Sequence, residues 1–404
     1  MASTVGQAAH TRRSAWLAAL TVAAAACGGV AASGEDPENT MSLTGELPAV
    51  VSTVAPSTLP PTTTIPPVRT MSMAFSGDVL IHSPIWEEAE VYAGVKDSYN
   101  FAPMWDDVRG LVSSVDLAIC HLEVPIAPPG QEFLAFPLYA SPKELIAGIA
   151  SAGYDRCSIA SNHAYDMRGA GIDTTLALFE QAGMGWAGTA RSAAEIEPRV
   201  IEVKGIKVSH LSYTWSLNGL RLPADEQWRV ALIDSARIIA DCTKAREMGA
   251  EAVIVSMHWG TEPVANVTTY QQTIANEITA SGQIDLIVGH HSHVVQPIRQ
   301  VNGVWTVFGM GNSLSSHPTR EFFTDASQDG VVVVVNLSVT HDGKVTVDAP
   351  IVHPTWVDKR NGYVIRDVLA QLARTDLSSA QRATYEKSLE RTKKMVGDFV
   401  SPTP

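Results

Sequence analysis

The feature that most constrains the fold is a series of short apolar runs that alternate with stretches of helical periodicity. The apolar runs have the length of β-strands and lie at 71–76, 117–120, 157–160, 252–257 and 284–288. The stretches with helical periodicity lie at 142–152, 171–182, 235–248 and 268–281. Strands that alternate with helices in this way are typical of βα units, so the sequence predicts an α/β fold.

Hairpin signals interrupt this alternation. One lies at Lys204-Gly205 between two apolar runs, and another lies at Asn302-Gly303, which is the strongest short hairpin dipeptide. A third turn at 341–343 separates two valine-rich runs. Because hairpins add antiparallel strands to parallel ones, we predict two mixed β-sheets packed face to face and flanked by helices.

The N-terminus has the features of an export signal. Arg12 and Arg13 precede an apolar run at 15–26, which is too short to span a bilayer but suits a signal peptide. The run ends in small residues followed by Cys27, which resembles a bacterial lipobox. We predict a signal peptide over 1–27, lipidation of Cys27, and attachment to the outer face of the cytoplasmic membrane. The alternatives are a secreted or signal-anchored chain and an uncleaved soluble chain.

The next segment, 28–68, is rich in Ser, Thr and Pro and has no period. Such a composition does not bury enough apolar surface to offset its ordering entropy, so we predict a disordered spacer. A folded domain is then predicted over 69–355, and a polar helical tail over 356–404.

The net charge and the cysteine content limit which partners and which disulfide bonds the chain is expected to have. The net charge of −13 argues against a nucleic-acid partner, which would need a basic surface. After Cys27 the chain has Cys120, Cys157 and Cys242, an odd number without close spacing. We therefore expect no disulfide framework, and we interpret Cys120 and Cys157 as small buried hydrophobic residues.

Polar residues of the kinds that bind metals follow almost every strand-like run. They are Asp78, Glu123, Asn162-His163 with Asp166, His258, and the cluster His290-His291-x-His293. Ligands of α/β sheets bind at the carboxyl ends of strands, so these residues are expected to converge. Carboxylate, carboxamide and imidazole without thiolate suit Mn, Fe or Zn. Taken singly, each residue has a structural alternative, such as a turn, a helix cap or a satisfied buried histidine.

Together these residues form motifs in a recognisable order. The motifs are Ser76-Gly77-Asp78, His121-Leu122-Glu123, Ser161-Asn162-His163, Met257-His258-Trp259-Gly260-x-Glu262, Gly289-His290-His291-Ser292-His293 and Gly309-Met310-Gly311-Asn312. The sequence over about 69–320 resembles the CapA (PgsA) family of poly-γ-glutamate capsule synthesis proteins. That resemblance implies a fold similar to calcineurin-like metallophosphoesterases.

The resemblance also implies roles for individual residues. It implies a centre of two divalent ions that is held by Asp78 and His293 at one ion, by Asn162, His258 and His291 at the other, and by a bridging Glu123. His163 would donate a proton to the leaving group, with Asp166 orienting it. His290 would support the ligands, while Trp259 and Gln296 are candidates for contact with the substrate.

Two positions depart from the broader phosphoesterase pattern. That pattern opens with Asp-x-His, but Val79 and Leu80 follow Asp78 here. His82 either reaches back to the metal or has a structural role. Glu123 stands where a shorter carboxylate is usual, which affects the spacing or the number of the ions.

The expected function is that of an envelope-attached, metal-dependent hydrolase in poly-γ-glutamate capsule synthesis or export. Its substrate would be an anionic polymer or a phosphoester, and the bond cleaved would be a phosphoester or an amide. The alternatives are a non-catalytic, polymer-binding accessory subunit of a membrane synthase and export complex, and a nucleotidase-like phosphatase.

Overall fold

The computed structural model describes residues 67–318 and 323–404. The predicted signal peptide, the predicted lipidation site Cys27 and nearly all of the predicted spacer lie outside these described residues. The described residues group into one compact unit. Within the described parts of the chain, no helix is both long enough and apolar enough to cross a membrane.

The described residues contain strands and helices in alternation. The strands are β1 (Arg69–Leu80), β2 (Leu117–Leu122), β3 (Arg156–Ser158), β4 (Gly185–Ala187), β5 (Val200–Val203), β6 (Ile206–Thr214), β7 (Ala252–His258), β8 (Leu286–His290), β9 (Ile298–Val301), β10 (Val304–Val307), β11 (Asn312–Ser315), β12 (Asp329–Val339), β13 (Val345–Val347), β14 (Ile351–Asp358) and β15 (Val364–Asp367). The α-helices are α1 (Ser83–Ala93), α2 (Asp106–Val112), α3 (Glu144–Ser151), α4 (Arg168–Gln181), α5 (Ser235–Glu247), α6 (Thr269–Thr279), α7 (Val368–Ala373) and α8 (Ser379–Val396).

These strands form two mixed sheets. The first has nine strands in the order β15-β14-β12-β1-β2-β3-β4, with β11 beside β1 and β13 beside β12. Its β1, β2, β3 and β4 run parallel, whereas β12, β14 and β15 are antiparallel. The second has six strands in the order β5-β6-β7-β8-β10-β9, with parallel strands at its centre and an antiparallel strand at each edge. The predicted fold class is therefore confirmed.

Strand alternation explains how the sheets pack. In β7, Ile254 lies in the core between the two sheets together with Phe75 of the first sheet. Its neighbours Val253 and Val255 lie in a separate core, under α5 and α6. A third core covers the other face of the first sheet with α1 to α4. Helices thus flank both sheets, as predicted.

The hairpins predicted at Lys204-Gly205 and Asn302-Gly303 are present as β5–β6 and β9–β10. The predicted domain boundary at 355 is wrong, because it falls inside β14, which pairs with β12. Both β15 and α8 belong to the same unit, since β15 pairs with β14 and Arg391 of α8 forms an ion pair with Asp329. The segments β14, β15 and α8 join the domain through contacts with distant residues, so the local sequence did not reveal that they belong to it.

The expectation for two of the cysteines is also wrong. Cys120 and Cys157 form a disulfide, with their Cα atoms 4.4 Å apart. The two residues stand directly opposite each other on the neighbouring parallel strands β2 and β3. This pairing depends on strand order and register, which a separation of 37 residues does not reveal. Cys242 is free and buried.

Candidate metal centre

The strand-end residues singled out in the sequence meet at one edge of the sandwich. The first sheet contributes Asp78 and Glu123, and the second contributes His258 and the His290–His293 loop. Every predicted metal ligand is buried, with at most 3% of its surface exposed. The centre therefore lies where two sheets meet and depends on both of them.

Asp78 holds the histidine loop in place. Its Oδ1 lies 3.2 Å from Nδ1 of His290, and its Oδ2 accepts a hydrogen bond of 3.2 Å from the backbone N–H of His291. Oδ2 also lies 3.1 Å from Nδ1 of His293. Burial acts to raise the pKa of Asp78, but the contacts with His290 and His293 hold that pKa well below its usual range. His291 and His293 both have positive φ, at 85° and 54°, which turns the loop tightly around the carboxylate.

Glu123 lies between the two groups of histidines. Its Oε1 is 3.6 Å from Nε2 of His293 and 3.8 Å from Nε2 of His258. Neither carboxylate oxygen has a hydrogen-bond partner among the described residues, although both are buried. Burial raises the pKa of Glu123 well above its ordinary value.

His258 lies within a line of buried hydrogen-bonding groups. Its Nε2 is 2.9 Å from Oδ1 of Asn162, and its Nδ1 is 2.9 Å from Nε2 of His121. The other nitrogen of His121 lies 2.8 Å from Oγ of Ser158. Burial lowers the pKa of both His121 and His258 well below the ordinary value, so both rings are neutral. Sequence reasoning gave His121 no role, although it shares a strand face with Glu123 two residues later.

His163 and Asp166 are brought together as expected. Nδ1 of His163 lies 2.7 Å from Oδ2 of Asp166, which also accepts a hydrogen bond of 2.8 Å from the backbone N–H of Tyr139. The amide nitrogen of Asn218 is 3.5 Å from both ring nitrogens of His163. Sequence reasoning missed Tyr139 and Asn218, because both lie on loops that return to the site from elsewhere in the chain.

Two partly exposed side chains border the histidines on the solvent side, and sequence reasoning assigned them no role. Oε1 of Glu262 lies 3.3 Å from Nδ1 of His291 and 3.8 Å from Nε2 of His293. The ring of Trp215 lies 5.5 Å from that of His291 and is 46% exposed. Both residues lie just beyond the ends of adjacent strands, β6 and β7, and this position is the signal that could have pointed to them.

His82 does not reach the site. Its Nδ1 lies 3.1 Å from the carbonyl oxygen of Leu80, and its Nε2 lies 3.2 Å from the hydroxyl of Tyr139. Burial lowers the pKa of His82 to about 4. Of the two roles considered for this residue, the structure supports the structural one.

Trp259 and Gln296, the two candidates for contact with the substrate, are both buried in the structure. Trp259 is fully buried, stacks on Phe308, and donates a hydrogen bond of 3.0 Å to its carbonyl oxygen. Gln296 is fully buried as well and is hydrogen-bonded to Gln271 and to the carbonyl oxygen of Val264. The polar atoms of both side chains are thus hydrogen-bonded within the core beneath the site.

The arrangement is compatible with divalent metal binding. Sets of three ligand atoms lie within 4.8 Å of one another in four groups: Asp78, Glu123 and His293; Glu123, His258 and His291; Glu262, His291 and His293; and Asp78, His121 and His290. The first two groups share Glu123. The unpartnered oxygens of Glu123 fit a cation, because a buried carboxylate otherwise needs hydrogen bonds or a positive charge. Carboxylates and imidazoles are ligands for Mn, Fe and Zn.

Comparison with curated proteins gives partial matches of low identity. The chain is 26% identical over 172 residues to the PGA biosynthesis protein CapA of Bacillus subtilis, covering 42% of this chain and 45% of that protein. It is 25% identical over 174 residues to the capsule biosynthesis protein CapA of Bacillus anthracis, covering 42% of each. A probable polyglutamine synthesis accessory protein of Mycobacterium tuberculosis is 25% identical over 222 residues, 51% of this chain and 57% of that protein. The chain thus spans about half the length of these relatives.

Solved structures give distant likenesses. The calcineurin-like phosphoesterase YfkN of Bacillus subtilis has a TM-score of 0.45 at 14% identity, covering 81% of this chain and 98% of that one. The NAD nucleotidase of Haemophilus influenzae has a TM-score of 0.44 at 12% identity, covering 84% of this chain and 65% of that one.

A family model gives the broadest match along the chain. It describes the bacterial capsule synthesis protein PGA_cap and matches residues 72–317, more than half of the 404 residues. The matched range begins in β1 and ends just after β11, so it contains all of the strand ends that meet at the candidate metal centre. The chain therefore belongs to the PGA_cap family of bacterial capsule synthesis proteins.

Proposed function

We propose that this protein is a metal-dependent hydrolase that acts on an anionic polymer or a phosphoester during poly-γ-glutamate capsule synthesis or export. The observation that carries the proposal is Glu123, whose two buried oxygens have no hydrogen-bond partner among the described residues. Removing a carboxylate ion from water costs several kcal/mol unless an opposite charge compensates it. Divalent ions at this carboxylate provide that charge.

Two of the three histidines around Glu123 have the protonation state that metal binding needs. Burial lowers the pKa of His258 well below its ordinary value, and burial lowers the pKa of His291 to about 4. Both rings are therefore neutral near pH 7 and offer a lone pair, as a ligand must. Protons do not compete with the metal at these two positions. At the third, His293, burial acts to lower the pKa, but Glu123, Glu262 and Asp78 raise it to about 10, so a metal ion there must displace a proton.

We propose two ion positions that share Glu123. Asp78 and His293 would hold one ion, while His258, His291 and Asn162 would hold the other. Bound there, divalent ions supply Lewis acidity and lower the pKa of water, and this chemistry serves attack on phosphorus or on a carbonyl carbon.

The proposed proton donor is His163. Its Nδ1 faces Asp166 at 2.7 Å, and this contact orients the ring and keeps a proton on Nδ1. Nε2 is then the nitrogen that exchanges a proton with the leaving group. The amide nitrogen of Asn218 lies 3.5 Å from this Nε2.

We propose the setting of the reaction from the relatives and the N-terminus. The Bacillus relatives are named for PGA and capsule biosynthesis, so an anionic polymer or a phosphoester is the substrate class we propose. Lipidation at Cys27 would attach the chain to the outer face of the cytoplasmic membrane. There it would meet membrane synthase and export subunits.

A second candidate function is that of a non-catalytic accessory subunit that binds the polymer. Val79 and Leu80 follow Asp78 where the phosphoesterase pattern has Asp-x-His, so this position lacks one ligand. The Mycobacterium tuberculosis relative is named as an accessory protein. In this alternative the metal would be structural or absent.

One experiment separates the two functions. The purified full-length protein is analysed for metal, stripped with a chelator, and assayed with Mn, Fe, Co or Zn added back. Substrates are p-nitrophenyl phosphodiesters, γ-glutamyl peptides and nucleotides. The hydrolase proposal expects retained metal and metal-restored turnover of at least one substrate. No turnover of any substrate with any added metal, whether or not the protein retains metal, contradicts it and favours the accessory function.

A further inference from the structure

We propose that Glu262 is an additional metal ligand on the solvent side of the centre, and that an anionic oxygen of the substrate displaces it. The inference deepens the proposed function and rests on it, since it concerns the same metal centre. Neither the family resemblance nor the position of Glu262 in the sequence assigned a role to this side chain.

The first argument is geometric. Oε1 of Glu262 lies 3.3 Å from Nδ1 of His291 and 3.8 Å from Nε2 of His293. Nδ1 of His291 is buried and makes no hydrogen bond with any described residue. The three ligand atoms lie within 4.8 Å of one another, a spacing at which one cation can contact all of them. Ligand atoms that face each other without hydrogen bonding suggest that an ion belongs between them.

The second argument is the difference in exposure among the three carboxylates. The side chains of Asp78 and Glu123 are at most 1% exposed, whereas that of Glu262 is 33% exposed. Glu262 lies on the loop between β7 and α6, beyond Gly260, whose φ of 104° turns the chain away from β7. Its carboxylate can therefore leave the metal for water without repacking the core.

The third argument is the number of ligands. Asp78, Glu123 and His293 form one three-ligand group, and Leu80, at the position where the phosphoesterase pattern has a histidine, lies in the core and adds no ligand. Catalytic metal sites commonly have three protein ligands and one open position for water or substrate. Glu262 faces this group from the solvent side. A phosphate or carboxylate oxygen of a substrate has the same charge and donor atom, so it can take the same position.

The test measures metal affinity of the metal-free full-length protein by calorimetric titration with Mn²⁺ or Zn²⁺. The variants are Glu262→Gln and, as the matched control, Glu247→Gln at the exposed end of α5. We expect Glu262→Gln to weaken metal binding about tenfold or more, since even residues that only support a ligand change affinity by this factor. Glu247→Gln should match the wild type. Equal affinity in all three proteins, or no metal binding by the wild type, overturns the proposal.

Displacement is tested with inorganic phosphate on the metal-loaded proteins. Phosphate must displace Glu262 in the wild type but not in Glu262→Gln, so the variant should bind phosphate several-fold more tightly. Unchanged or weaker phosphate binding overturns the displacement step. Thermal melting of Glu262→Gln checks its folding, and Glu262→Asp, which keeps the charge on a shorter chain, should have intermediate metal affinity.

These outcomes are distinct from those of the hydrolysis assay. Weaker metal binding by Glu262→Gln supports the ligand assignment even if no tested substrate is turned over. Conversely, turnover by the wild type together with unchanged metal affinity in Glu262→Gln supports the proposed hydrolase and refutes the role of Glu262.

Discussion

Oε1 of Glu123, at the end of β2, lies 3.6 Å from Nε2 of His293, in the loop after β8. The two residues belong to different sheets, so their contact joins the two halves of the candidate metal centre. The same oxygen lies 3.8 Å from Nε2 of His258. An ion on either side of Glu123 would therefore link the two sheets as well as provide Lewis acidity.

Replacing Glu123 should weaken metal binding without unfolding the protein, so that metal no longer raises its melting temperature. Glu123→Gln keeps the shape of the side chain but removes its charge, so we expect it to lose at least one ion while remaining folded. Saturating metal at about one hundred times its dissociation constant stabilises the wild type by about 2.7 kcal/mol. Thermal melting with and without chelator should show this difference in the wild type and little of it in Glu123→Gln. A melting temperature that depends equally on metal in both proteins would contradict the shared-ligand position.

His163 and Asp166 should affect turnover and not metal content. His163→Ala removes the proposed proton donor, so we expect turnover to fall by about a hundredfold to ten-thousandfold. Asp166→Asn should lower turnover as well, because it changes the hydrogen bond that orients the ring. Metal analysis and initial rates are measured on the same preparations. Asn162→Ala and His291→Ala serve as the contrasting pair, because both should lose metal. Wild-type rates in His163→Ala would refute the assignment of the proton donor.

The disulfide between Cys120 and Cys157 should contribute to stability. It closes a loop with a sequence separation of 37, for which the chain-entropy model gives about 4 kcal/mol. Denaturant unfolding with and without reductant measures this contribution, and a thiol titration under denaturing conditions counts the free cysteines. Cys120→Ala/Cys157→Ala should be less stable than the wild type and insensitive to reductant. Cys242→Ala leaves the disulfide intact, so reductant should lower the free energy of unfolding of this variant as it does for the wild type.

The C-terminal helix α8 should be required for the stability of the whole unit. Nε and Nη2 of Arg391 lie 2.5 Å and 2.8 Å from the carboxylate oxygens of the buried Asp329, which also accepts a hydrogen bond from Ser388. Arg391→Ala leaves this carboxylate without its cation, and we expect a loss of about 2 kcal/mol in the free energy of unfolding. The exposed neighbour Lys394 provides the control Lys394→Ala, for which chemical denaturation should show a much smaller change. Equal stability of the two variants would show that α8 is only loosely attached.

Much of the local structure followed from the sequence. The Thr268 and Gln271 side chains form a capping box at the start of α6, and Ser378 and Gln381 do the same for α8. The hairpin turn at Asn302-Gly303 lies where the dipeptide predicts it. These features depend on residues three or four positions apart or closer, so the sequence carries them directly.

The sequence predicted only part of the candidate site. Strand ends marked the six predicted metal ligands and the His163–Asp166 pair, because the carboxyl ends of parallel strands share one edge. Trp259 belongs to the same motif as His258 but points into the core, since successive residues beyond a strand face opposite sides. The tertiary structure was needed to show that Glu262 and Trp215 border the site from neighbouring loops.

The sequence by itself determined the alternation of strands and helices, the positions of the turns and the strand-end residues that meet at the candidate metal centre. Only the tertiary structure decided that Cys120 pairs with Cys157, that His121 contacts His258, and that β14, β15 and α8 complete the domain. The physical reason is the range of the interactions. Periodicity, capping and turn preference act between near neighbours, whereas strand order, register and the distance between two sheets depend on the packing of the whole core.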